Sequence, residues 1–182
     1  MKKILTVVFS VLALVMMNFG FSGAAEAAKV AVVPLQVNEA QVERAGDFTS
    51  YYWDIVIDKF AYPDFDLLDD TEVAKAVPEE GLASFDRATL MDVASRTGAD
   101  IVVAMRLDKV EETPLNGRRE PTLECFMQGE YAAYNGVTGK YYGKKIYYRE
   151  EMEEVLTVRN DWQQQAFASN LRRYIYRTLK VK

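Results

Sequence analysis

Residues 98–108, Gly-Ala-Asp-Ile-Val-Val-Ala-Met-Arg-Leu-Asp, constrain the architecture more than any other stretch of this chain. Gly98 closes a helical pattern, and residues 101–105 form an unbroken apolar run of strand length. A strand that is apolar on both faces needs cover on both faces, which places it inside a sheet with helices above and below. Lys29-Val-Ala-Val-Val-Pro-Leu35 repeats the pattern, with Pro34 ending the strand because it has no N–H to donate. Two such runs point to an α/β layer and name no chemistry.

The segments between them supply the cover. Phe48, Tyr52, Ile55, Val56, Lys59 and Phe60 fall on one side of a predicted helix over 48–60, the lysine lying at its edge. Residues 65–68 make a short strand. Asp69, Asp70 and Thr71 can cap a helix over 71–77, which stops before Pro78. After a turn at 78–81, Ser84 or Asp86 can cap the next helix, whose apolar residues are Leu90, Val93 and Ala94. Strand, helix, strand, helix pair, strand is the order of parallel strands joined by crossovers.

After Asp108 the character changes. Residues 110–121 are charged and broken by Pro114, Gly117 and Pro121, which reads as a solvent-exposed excursion. Residues 122–135 alternate as a strand, with Leu123, Cys125, Met127 and Tyr131 on one face. Asn135-Gly136 and Thr138-Gly139 mark a hairpin turn. Residues 141–149 and 150–158 are further strand material, one strand or two. Residues 161–180 form the longest helix, with Phe167, Leu171, Tyr174, Ile175, Thr178 and Leu179 as its buried stripe and Arg172, Arg173 and Arg177 outside it. The expected fold is a single α/β domain of two or three layers. Its mixed sheet has parallel βα units followed by an antiparallel hairpin, and a long C-terminal helix closes it.

Lys2 and Lys3, the apolar residues 4–17 and Ala25-Glu26-Ala27 have the layout of a secretory signal peptide, read as residues 1–27, with 28–182 as the folded domain. An uncleaved anchor is the rival, since residues 4–21 carry no charge; the small residues of 20–28 favour cleavage. The whole chain has 182 residues and a formal charge of -5. Losing Lys2, Lys3 and Glu26 leaves 20 basic against 26 acidic residues, and about 155 residues is ample for one core. An exported acidic chain is expected to bind no nucleic acid and, once cleaved, to make no stable membrane insertion. Cys125 is alone in an apolar strand, so it is either buried or paired with another chain; burial is the expectation.

Asp64, Asp66, Asp69 and Asp70 come nearest to a metal or acid–base cluster. Strand alternation sets Asp64 and Asp66 on one face as candidate metal ligands, yet capping and strand-end solvation also explain all four. The chain has no histidine, which removes the usual general base and the ordinary Ser-His-Asp and Cys-His arrangements. Ser-Lys and paired-carboxylate chemistry need none. Glu153-Glu154 belongs to a charge run, and no glycine spacing suits a phosphate loop. No cofactor is expected. Tyr141, Tyr142, Lys144, Lys145, Tyr147, Tyr148 and Arg149 form the one basic-aromatic interleaving. It reads as a covered hairpin guarded by lysines, as an edge that pairs with a protein or a second subunit, or as a glycan platform.

The order of Lys29-Val-Ala-Val-Val-Pro-Leu35, Phe65-Asp-Leu-Leu-Asp69, Thr97-Gly-Ala-Asp-Ile-Val-Val-Ala104 and Asn135-Gly-Val-Thr-Gly-Lys140, then a long final helix, resembles a group of exported bacterial envelope domains. The group comprises the amino-terminal domain of TolB, the curli-secretion lipoprotein CsgG and the lipoprotein activator of penicillin-binding proteins. The resemblance spans nearly all of residues 29–180. It implies a noncatalytic assembly or accessory module at the periplasmic or extracellular face of the envelope, binding an envelope protein or itself, and transfers no catalytic residue. Two alternatives stand beside it: a carboxylate- or metal-dependent hydrolase of an envelope polymer using Asp64 and Asp66, and a glycan-binding module using residues 141–149.

Overall fold

In the computed structural model, which describes residues 27–117, 119, 122–153 and 162–180, β1 (Ala28–Val32) lies between two parallel neighbours. These are β3 (Phe65–Leu67) on one side and β4 (Ile101–Leu115) on the other, with Val30 opposite both Leu67 and Ile101. Pro34 interrupts the pairing, and β2 (Gln36–Val37) resumes it along the same edge of β4, Gln36 opposite Arg106. Two antiparallel strands, β5 (Thr122–Asn135) and β6 (Lys140–Glu153), complete a six-stranded sheet in the order β3-β1-β4-β5-β6. The fold is α/β with a mixed sheet, as the sequence predicts. The residues read as the signal peptide up to 26, Pro121, strand material at 154–158 and Asp161 lie outside the described residues.

Alternation along the central strands divides the core by size. Val30, Val32, Ile101, Val103, Met105 and Leu107 point to one face, where α1 (Ala45–Lys59) brings Phe48, Tyr52, Ile55 and Val56. On the same face α4 (Trp162–Lys180) brings Phe167, Leu171 and Ile175, and the Phe48 and Phe167 rings meet edge to face at 5.4 Å. Ala31, Val33, Val102, Ala104 and Ala132 point the other way, under α2 (Asp70–Ala74) and α3 (Arg87–Thr97). Large side chains thus fill the α1–α4 side, and small ones let the α2–α3 side approach closely. Each fully buried large side chain contributes about 1.5–3 kcal/mol.

The caps behave as their residues predict. The Asp69 carboxylate accepts from the Thr71 amide at 2.8 Å and the Asp86 carboxylate from the Thr89 amide at 2.8 Å. Gly98 takes the left-handed conformation, φ 69°, that ends α3.

The excursion expected at 110–121 is corrected: β4 runs on through Pro114 to Leu115 and pairs with β5 to Thr122. Glu111, Glu112, Thr113 and Pro114 are all exposed, so both faces of the strand meet water here and its polarity matches that of a loop. Asp108 is an extra residue in this pairing, since Leu107 faces Gly129 and Lys109 faces Gln128. The bulge reverses the phase of alternation, so Val110, not an odd-numbered residue, continues the buried face. The open choice over residues 141–153 resolves to one strand, β6.

Candidate functional site

β6 carries all seven residues of the basic-aromatic segment, and strand alternation parts them. Tyr142, Ile146 and Tyr148 turn to the α4 side: Ile146 is buried, and both rings pack against the main core. Tyr142 lies 6.0 Å from the Tyr131 ring, and its hydroxyl accepts from Arg177 Nη1 at 3.4 Å. Tyr141 faces the other way and is bound into the fold, its hydroxyl donating to the Phe85 carbonyl at 2.6 Å. Desolvation, aided by the charges of Glu130 and Asp86, pushes its phenol above the ordinary value. Lys144 and Lys145 are exposed, opposite Tyr131 and Glu130 of β5.

Tyr147 and Arg149 remain. They share the uncovered face with Phe126, since α2 and α3 bury this side only as far as Ala104 and Ala132. Tyr147 is 71% exposed, its ring 6.1 Å from that of Phe126. The Arg149 guanidinium stands 5.6 Å from the Phe126 centroid and the Lys109 ammonium 5.9 Å from it, contacts worth about 0.5–1 kcal/mol each when exposed.

Cations and carboxylates stand side by side on this face of the sheet. Arg149 lies 3.5 Å from the Glu124 carboxylate, Arg106 lies 3.5 Å from Glu130, and Lys109 lies 2.7 Å from Glu111. The result is a mixed-charge face with one aromatic pair. At its side, β6 ends the sheet; among the described residues no strand pairs with its outer edge. That edge offers backbone donors and acceptors over 14 residues.

The carboxylate candidates stay apart from any such assembly. Asp64 precedes β3 and Asp66 lies within it, both exposed, while Asp69 is held by its Thr71 contact. Among the described residues, no three His, Cys, Asp or Glu side chains converge as a metal would require. Cys125 is fully buried between Glu112 on β4 and Glu150 on β6, and its thiol is pushed up to about 12 by burial, with a smaller push from both carboxylates.

Sequence reasoning missed a groove of about 370 Å³ at the carboxyl ends of β1 and β2, lined by Pro34, Gln36, Val77, Pro78, Glu79 and Gly81. Its location at the carboxyl end of parallel strands is where such sheets leave a crevice. The signal was Pro34 breaking the strand two residues before Gln36. The Gln36 amide packs on Gly81, whose φ of 86° and missing Cβ make room for it. Among the described residues no helix is long and apolar enough to cross a membrane.

No family model and no curated protein sequence matches this chain. Among solved structures, the fold is similar to lipoprotein GNA1162 from Neisseria meningitidis, at 11% identity over 82% of this chain and 99% of that one, with a TM-score of 0.44. It is similar to the LpoB C-terminal domain from Escherichia coli, at 15% identity over 76% and 94%, with a TM-score of 0.38. A PelC dodecamer from Paraburkholderia phytofirmans gives 14% identity over 81% and 88%, with a TM-score of 0.41.

Proposed function

We propose that this chain is exported, loses residues 1–27, and serves in the cell envelope as a noncatalytic interaction module, of the same broad kind as the envelope domains its element order resembles. The observation that carries the reading is the outer edge of β6, a 14-residue strand ending the sheet beside exposed Tyr147 and Arg149. An edge of this length can add a strand from a partner, main-chain bonds giving affinity and alternate side chains giving choice of partner. The proposed export rests on the layout of residues 1–27.

The test is a photo-crosslinking amino acid placed at position 147 in the full chain expressed in its own cells, with position 91 on α3 as the exposed control. The expected result is an adduct of defined mass at 147 and none at 91. Equal, diffuse labelling at both sites would rule the edge out as the interacting surface.

A second reading, glycan binding, is favoured by one observation: the open Tyr147 ring beside Phe126. Tyr141 and Tyr142 have other employment. Under this reading Tyr147→Ala is expected to abolish retention on immobilised peptidoglycan; unchanged retention, or none by the parent chain, rejects it.

A further inference from the structure

β6 carries its charges in two blocks. Lys140, Lys144 and Lys145 occupy its first part, and Glu150, Glu151 and Glu153 its last, with Arg149 at the junction. A strand with this polarity complements itself only when reversed. Parallel pairing in register would set lysine beside lysine, whereas antiparallel pairing sets the basic block of one copy beside the acidic block of the other.

Geometry narrows the choice further. Directly opposite residues of an antiparallel pair point to the same face, and two-fold symmetry then requires one residue to stand opposite its own copy. Centring on Tyr147 would put Lys145 opposite Arg149 of the second copy. Centring on Arg149 would put that arginine opposite itself. Centring on Tyr148 puts Lys145 opposite Glu151 twice and Tyr147 opposite Arg149 twice, with no like charges opposed.

We infer that the occupant of this edge is a second copy of this chain, the two β6 strands pairing antiparallel about Tyr148 so that Lys145 of each meets Glu151 of the other. The inference deepens the interaction reading above and rests on it. A continuous sheet through two protomers would remove the open edge that β6 otherwise presents to any extended chain.

The test is sedimentation equilibrium of the purified full chain under reducing conditions, across protein concentrations. The parent is expected to be a dimer. Lys145→Glu and Glu151→Lys, each alone, are expected to weaken association at least tenfold, and the two together to restore it. Tyr148→Cys is expected to form a disulfide dimer on oxidation and Tyr147→Cys not to, because only the central residue meets its copy within disulfide reach. A parent chain that stays monomeric while position 147 still crosslinks to a different protein would overturn the self-pairing and leave the interaction reading standing. A dimer indifferent to both charge reversals, with circular dichroism unchanged, would overturn the pairing as well. The same dimer with no adduct at 147 would overturn the edge reading too.

Discussion

The Tyr141 hydroxyl donates to the Phe85 carbonyl at 2.6 Å, joining the start of β6 to the segment that leads into α3. A residue that reads as part of a binding platform in sequence is a tie between two ends of the fold. Tyr141→Phe removes the donor and leaves the carbonyl without that partner. Stability is expected to fall by about 1 kcal/mol in urea unfolding, with crosslinking at position 147 unchanged. A shift in crosslinking at unchanged stability would contradict this assignment.

Tyr131 on β5 and Thr178 on α4 share a buried 2.9 Å hydrogen bond. Thr178→Val strands the Tyr131 hydroxyl and is expected to cost about 1–3 kcal/mol, whereas Tyr131→Phe leaves the Thr178 hydroxyl donating to the Tyr174 carbonyl at 3.1 Å and is expected to cost less, about 1 kcal/mol. The double substitution should cost clearly less than the two together. Strict additivity in a double-mutant cycle would show that the two groups do not interact.

Burial pushes the Tyr52 and Tyr131 phenols above their ordinary value of 10.0. The unfolded chain then releases these protons first as pH rises. Their contribution to stability is complete below pH 10 and is lost as pH climbs from there towards the folded values. Urea midpoints are expected to drop above pH 10, and Tyr131→Phe to lessen the drop. A midpoint flat to pH 11.5 would refute the assignment.

Cys125 is fully buried and its thiol is held at about 12, so the nucleophilic thiolate is scarce and inaccessible. Iodoacetamide at pH 8 is expected to label it at least a hundredfold more slowly in the native chain than in denaturant. Comparable rates, or a dimer lost on reduction, would place the thiol at the surface.

Gly129 sits opposite the Asp108 bulge, where a Cβ would overlap the Arg106 carbonyl oxygen. Backbone cannot step aside as a side chain can, so Gly129→Ala is expected to cost about 1–3 kcal/mol. Gly139, with open space around it, serves as a control for added bulk, although its φ of 67° brings a strain of its own.

Much of the fold was readable locally. The double-faced apolar runs around Val30 and Val102 demanded an interior sheet, and Phe48, Tyr52, Ile55 and Val56 found the face that helical spacing assigned them. Asp69, Asp86 and Gly98 cap as their chemistry requires, because a cap is settled within four or five residues. The continuation of β4 through Pro114 was not readable, since exposed strands and loops have the same polarity. Nor was the bulge at Asp108, which exists only relative to β5.

The interaction segment divides along the same line. By itself the sequence showed strand material over residues 141–158 that opens with a basic-aromatic segment at 141–149 and turns acidic after it, because composition is a property of consecutive residues. Tertiary structure decided which of the two alternating faces is covered. α4 lies over Tyr142, Ile146 and Tyr148, while α2 and α3 stop at Ala104 and Ala132. It also set Glu130 across from Lys145, brought Glu124 within 3.5 Å of Arg149, and left β6 at the end of the sheet. A strand's periodicity defines two faces and two edges, and only packing against distant chain decides which of them meets water.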